Sequence, residues 1–235
     1  MPNPTGLAAG RDNRGNTVIQ ALYPSGLTDD QGNNLYNLSS AIRPTEVGGL
    51  GAYSLSMITG TLPAGLGAAS IISAFRWAPS TSGALALIKR VALGMTSLGT
   101  GFTAGVGLLN LMVCRSFSAN DTGGTAATLT TNNGKRRTSF GTTQVADWRI
   151  ASTAALGAGT RTPDAQTLAQ AVFGVVVATN TVMLPTTAIL QADQSAGDWP
   201  LVLANNEGFE IQATVPATGT WQMQMLVDWL EVPAF

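Results

Sequence analysis

Among the side chains that most often carry catalysis, this chain of 235 residues holds 13 aspartates and glutamates, one cysteine and no histidine. Without histidine there is no Ser-His-Asp or Cys-His triad, no histidine-based metalloprotease site and no imidazole acid–base pair. A single cysteine also excludes an intrachain zinc site of nitrogen and sulfur ligands, leaving only oxygen donors for a metal. Asp29 and Asp30 lie near Asn33 and Asn34. Their spacing departs from an EF-hand loop, and no glutamate follows where a bidentate ligand belongs, so a turn is expected there. Paired carboxylates hydrolyse glycosides when a sugar groove lies between them. Glu207 with Glu210 and Asp193 with Asp198 are the available pairs, but no aromatic cluster accompanies either. Solvated or interface carboxylates are expected instead.

Cys114 follows the apolar run Leu108 to Val113. Activating its thiol would need a basic neighbour, and on a strand the adjacent Arg115 points to the opposite face. A buried, inert thiol is expected. Gly99-Thr100-Gly101-Phe102-Thr103-Ala104, with Asp121 twenty positions beyond Gly101, has the spacing of a dinucleotide-binding fingerprint. That chemistry needs a helix to begin at the glycines and present its N-terminus to a pyrophosphate. The segment that follows, with Gly105 and Gly107, reads as a strand. Lys135-Arg136-Arg137 concentrates positive charge in the polar stretch Ser118 to Thr143, but the sequence pI is about 5.3. Three charges without interleaved aromatics are no nucleic-acid footprint. A salt bridge to a neighbouring subunit or a solvated loop tip is expected. The expectation is therefore a protein that is not an enzyme, with no catalytic, cofactor-binding or metal-ligating residues, no cofactor and no nucleic-acid partner.

The elements that hold these residues are read from hydrophobic pattern. Hydrophobic residues make up 45% of the chain and charged residues 11%, against roughly 25% charged in ordinary soluble domains. A net charge of −1 does little to keep free molecules apart. Surface buried against other subunits removes that difficulty. Val47 to Phe75 and Val91 to Cys114 carry no charge, but their glycines and polar residues, with Pro63 in the first, make poor membrane helices. No membrane partner is expected, and Met1 to Asn13 lacks the basic and apolar regions of a secretory signal.

The first 45 residues are rich in Asn, Gly and Pro and read as an extended arm. Within them, Asp12-Asn13-Arg14-Gly15-Asn16-Thr17-Val18 is echoed by Asp29-Asp30-Gln31-Gly32-Asn33-Asn34-Leu35. Each copy is turn chemistry followed by a β-prone segment, Val18 to Tyr23 and Leu35 to Leu38, expected to pair with a neighbour's backbone. Residues 46–235 alternate apolar segments with Gly/Thr/Ser/Asn loops. Strands are expected at Tyr53 to Ile58, Ile71 to Trp77, Leu85 to Leu93, Val106 to Phe117, Val145 to Ile150, Ala171 to Ala178, Thr181 to Leu184 and Leu201 to Ala204. A closing hairpin is expected from Phe209 to Val215 and Trp221 to Leu230, with Trp221, Met223, Met225, Val227 and Trp229 on one apolar face. Asp164 to Ala171 is the one segment with a plausible helix cap. The fold class expected is all-β, an antiparallel β-sandwich or jelly roll behind an extended N-terminal arm.

Several motifs of the chain resemble uncharacterised structural proteins encoded by tailed phages. They are Asp121-Thr122-Gly123-Gly124-Thr125-Ala126-Ala127, Asn132-Asn133-Gly134-Lys135-Arg136-Arg137-Thr138, Leu203-Ala204-Asn205-Asn206-Glu207-Gly208-Phe209 and Val215-Pro216-Ala217-Thr218-Gly219-Thr220-Trp221. Upstream, Gly51-Ala52-Tyr53-Ser54-Leu55-Ser56 and Phe75-Arg76-Trp77 extend the resemblance. It implies a virion protein assembled in the host cytoplasm and carries over no functional residues. Size and layout then fit a capsid decoration or cement protein, expected to be a homo-oligomer, a trimer, bound to the major capsid protein or other virion proteins. A tail, collar or fibre component, or a carbohydrate-binding module for host attachment, is the alternative.

Overall fold

In the computed structural model, residues 49–99, 101–130, 132–157, 159–175, 182–193 and 198–233 are described, together with the backbone of four N-terminal strands. The chain divides into two units, Met1–Pro44 and Thr45–Phe235. In the first, β1 (Leu7–Arg11) pairs antiparallel with β2 (Thr17–Ala21), and β3 (Pro24–Thr28) with β4 (Asn34–Tyr36). These pairings correct the expectation that the β-prone segments pair with a neighbour: each finds its partner within the chain. Residues 12–16 and 29–33, including Asp29, Asp30 and Asn33, lie outside the described residues.

The second unit is a β-sandwich of two antiparallel sheets, so the expected fold class holds. Its strands are β5 (Gly51–Ile58), β6 (Leu62–Pro63), β7 (Ser70–Trp77), β8 (Leu85–Leu98), β9 (Gly105–Phe117), β10 (Thr125–Ala126), β11 (Val145–Ile150), β12 (Arg161–Pro163), β13 (Ala169–Val175), β14 (Val182–Gln191), β15 (Leu201–Leu203), β16 (Glu207–Thr214) and β17 (Thr220–Val232). One sheet runs β10-β11-β7-β16-β9-β12, with β13 also on β9; the other runs β14-β8-β17-β5, with β15 on β8 and β6 on β17. Period-two alternation turns one side of each strand inward, and the five apolar residues of β17 named above are all buried. Opposite them, Phe75 of β7 stacks on Phe209 of β16 at 5.0 Å and meets Trp229 edge-on at 5.6 Å; Tyr53 stacks on Trp229 at 5.3 Å. Such pairs add about 0.5–1.5 kcal/mol each beyond area burial. The indole N–H groups of the buried tryptophans are paired, Trp148 donating to Ser73 Oγ at 3.0 Å and Trp77 to the Ala84 carbonyl at 3.2 Å.

Two local expectations are corrected. The last two strands are not a hairpin: β16 pairs with β7 and β9, while β17 pairs with β8 and β5, so residues 215–219 carry the chain from one sheet to the other. Alternation shows which side of each strand is apolar, but not whether two such sides lie side by side or face to face. Nor does a helix form at Asp164 to Ala171. The Asp164 and Leu168 amides donate to the carbonyls of Val113 and Leu111, and Ala169 begins β13. Pairing to the edge of β9 outweighs one helix cap. Among the described residues, no helix is long and apolar enough to cross a membrane.

Candidate functional site

The carboxylates named as catalytic pairs do not meet as pairs. Glu207 accepts from the Ala204 amide at 2.7 Å and lies 3.9 Å from Arg115, which also pairs with Asp164 at 3.3 Å. Asp193 and Asp198 close their own loop, the Asp198 amide donating to the Asp193 carbonyl at 3.0 Å. Glu210, expected to be a solvated or interface carboxylate, is 1% exposed within the chain, on the outward side of β16. There it pairs with Arg161 of β12, which also pairs with Asp121. The Asp121 carboxylate accepts the Gly159 amide at 2.6 Å as well, and the Arg161 guanidinium stands 5.2 Å from the Phe117 ring centroid. Burial pulls the Arg161 pKa down, but its hydrogen bond to the Asp121 carboxylate and the charges of Glu210 and Asp121 outweigh it, leaving it raised. Three atoms of the cluster, Asp121 Oδ2, Arg161 Nη2 and Glu210 Oε2, have no hydrogen-bond partner, the last being held by its ion pair with Arg161 alone. The cluster straps the segments around Asp121 and Arg161 onto the outside of the sheet. Arg161 is a lone cation far in sequence from both partners, and no spacing rule points to it.

Cys114 lies under this strap in a small cluster with Ala74, Phe117 and Leu156. Its thiol is fully buried, and burial first, then the Glu210 charge, pushes its pKa up to about 12. The expected burial of the thiol is what the geometry gives. Arg115 is exposed, on the other side of the strand.

A second buried carboxylate, Glu231 near the end of β17, accepts from the Thr143 hydroxyl, the Gln144 amide and the Trp229 indole. Burial is the largest influence on it and raises its pKa. Tyr53, whose hydroxyl donates to the Gly141 carbonyl at 2.9 Å, is likewise raised by burial, to about 12, with the Glu231 charge adding. These contacts lay the polar stretch after residue 131 along the free edge of β5, where the Ser54 amide donates to the Gly134 carbonyl and the Arg136 amide to the Ala52 carbonyl. The basic run is split by this pairing. Arg136 forms an ion pair with Asp228 of the same chain at 2.7 Å, and Arg137 is exposed.

Gly99 to Ala104 lies between β8 and β9, and among its described residues no helix starts. With residues 215–219 it closes one end of the sandwich: the Thr103 amide and hydroxyl donate to the Ala217 carbonyl, each at 2.9 Å, and the Ala64 amide donates to the Gly219 carbonyl. Gly219 has φ +87°, and a Cβ there would stand 2.8 Å from the Gly101 backbone, so only glycine fits. At this end a groove of about 380 Å³ crosses the outer face of the β14-β8-β17-β5 sheet, floored by Gly94, Thr96, Gln222 and Gln224 and flanked by Ile58 and Val182. On the outer face of the other sheet, Val106 and Val172 are 63% and 58% exposed. Away from both, Trp199 is 86% exposed, whereas Trp77, Trp148, Trp221 and Trp229 are buried. Among the described residues no group of three Cys, Asp or Glu side chains is placed to hold a metal ion. Comparison with family models, with curated proteins and with solved structures returns no match.

Proposed function

We propose that this protein is a non-enzymatic structural component of a bacteriophage particle, a decoration or cement protein bound to the head shell. The observation that carries the reading is the layout: a charge-poor sandwich preceded by a separate unit of two short hairpins. Two-stranded hairpins are marginal alone in water and gain stability by lying on another surface. A cement protein places such an element across a seam between shell subunits, while the sandwich sits over it. The resemblance of the sandwich motifs to tailed-phage structural proteins supports the same reading.

The test uses particles that lack the protein. Full-length chain and a chain beginning at Thr45 are added back, and occupancy is measured beside thermal unfolding of each. Equal unfolding with sharply reduced occupancy of the shorter chain is the expected result; equal occupancy would remove the anchoring role.

One observation favours a second reading, recognition of host carbohydrate. Trp199 presents its ring to solvent beside Pro200 and Asp198, as an aromatic platform for a sugar face would. Glycan binding lost on Trp199→Ala, with unchanged particle occupancy, would support it.

A further inference from the structure

The four longest stretches of the chain without Asp, Glu, Lys or Arg are residues 47–75, 91–114, 165–192 and 211–227. Far apart in sequence, they are brought together by the registers of both sheets. Thr96 faces Gln222 on one side and Val182 on the other; Gln224 faces Ile58; Leu108 faces Thr214 and Val172. β8 is charge-free beyond Arg90, β9 before Arg115, β16 beyond Glu210 and β17 before Asp228, while β5, β13 and β14 hold no charge at all. Every one of these portions runs toward the end closed by residues 99–104 and 215–219. Among the described residues, that end bears no ionisable acid or base, and the ion pairs all lie toward the other.

We infer that the charge-free end is a self-association surface, on which the Val106–Val172 patch of one copy covers the Ile58–Val182 groove of the next. The reason is desolvation. A partner with charged side chains would bury them against a surface that offers no counter-ion, which is costly. The partner must therefore be uncharged over the same extent, and another copy of this chain supplies such a surface. The two patches lie on opposite outer faces of the sandwich, because Val106 and Val172 point away from the core of one sheet and Ile58 and Val182 away from that of the other. Copies so joined meet head to tail, and a head-to-tail contact that closes makes a ring. The floor suits an uncharged neighbour: Gln224 donates to Ser56 Oγ and Gln222 to the Thr59 carbonyl, so each amide retains hydrogen-bonding capacity for a partner. The inference goes beyond the phage reading and stands for any assembly this chain enters.

The test is native mass of the full chain at micromolar concentration, which is expected to be a small multiple of one chain. Val172→Lys and Val182→Glu, each at an exposed position, should reduce the mass to a single chain while leaving thermal unfolding in place. The two changes combined in one chain should restore the multimer, since the new charges meet across the contact. Thr138→Lys, at the charged end, should leave the mass unaltered. A route that introduces no charge is Val172→Cys with Val182→Cys, joined by a short bismaleimide; a ladder of covalent multimers is expected, and buried Cys114 does not compete. A wild-type chain that stays single, including one that instead binds neutral lipid vesicles, overturns the inference. So do single charges that leave the multimer intact, a double variant that stays single, or cysteines that join no chains.

Discussion

Toward one end of the sandwich, Arg76 reaches three acceptors, the Phe117 carbonyl, Asn120 and Asn206, while Arg161 holds Asp121 and Glu210 and Arg136 holds Asp228. Toward the other, three connections are held together by backbone amides and threonine hydroxyls, and the side chains left outside are Ile58, Val106, Val172 and Val182. At the first end charged side chains are tied to partners within the chain, though Arg90 Nε, Asp121 Oδ2 and Arg161 Nη2 are buried without a hydrogen bond. At the second the fold is secured by groups that need no ionic partner, and apolar surface remains in contact with solvent. A short chain with few charges has divided them: those it has close loops over the sheets, and their absence elsewhere leaves a surface that can be covered without burying an ion.

The largest effect expected from breaking this arrangement is in the shared core. Met225→Asp or Val227→Asp places an unpaired charge on a fully buried face, a cost comparable with the roughly 5–15 kcal/mol that holds a whole domain folded, so neither variant should unfold cooperatively. Gln224→Asp, one residue away on the exposed face, should fold normally by the same calorimetric measurement. Equal tolerance at both positions would undo the alternation on which the sandwich rests.

Next in size is the strap at the charged end. Arg161→Met leaves Asp121 and Glu210 buried without their cation and should cost about 3–5 kcal/mol in denaturant unfolding. Adding Asp121→Asn and Glu210→Gln to it should recover most of that loss, because the penalty lies in the unpaired charges. If Arg161→Met alone is neutral, the strap is not held by this cluster.

The thiol sharpens the comparison further. Native Cys114 should react with a maleimide far more slowly than the denatured chain, and Arg161→Met should speed labelling by opening the cover above it. Rapid stoichiometric labelling of the wild type would place the thiol outside the core.

The strands and their inward faces were legible in sequence because alternation is a local signal. β11 was expected at Val145 to Ile150 and occupies those residues; β7 and β9 begin one residue earlier than expected, and β8 continues to Leu98. What failed was pairing. Residues 216–219 read as a hairpin turn because Pro, Thr and Gly serve a turn within a sheet and an arch between sheets alike. The Arg161 cluster was invisible for the same reason: its members become neighbours only when β12 lies on β9 and β9 on β16. Two of the four charge-free stretches, 47–75 and 91–114, stood out as uncharged runs, but only the register brings them to one end.

The smallest expected effect is in pH dependence. Glu231 and Asp147 both have carboxyl pKa values raised, with burial the first cause. A carboxyl raised in the fold contributes stability that is full below its unfolded value, about 4, and is lost as pH rises through the folded value. Glu231→Gln should therefore flatten part of the decline in melting temperature between acidic and neutral pH, while keeping an acceptor for Thr143 and Trp229. A variant with the wild-type pH profile would show that Glu231 is not charged at a cost in the fold.

The central claim, that this chain works by having its charge-free end covered in an assembly, is met most directly by a cryo-electron-microscopy map of intact particles with the sandwich placed in density. The account predicts protein density against Ile58, Val106, Val172 and Val182, and solvent at Arg115 and Arg137. A map in which those four residues face solvent, and the charged end makes the contacts, would contradict it.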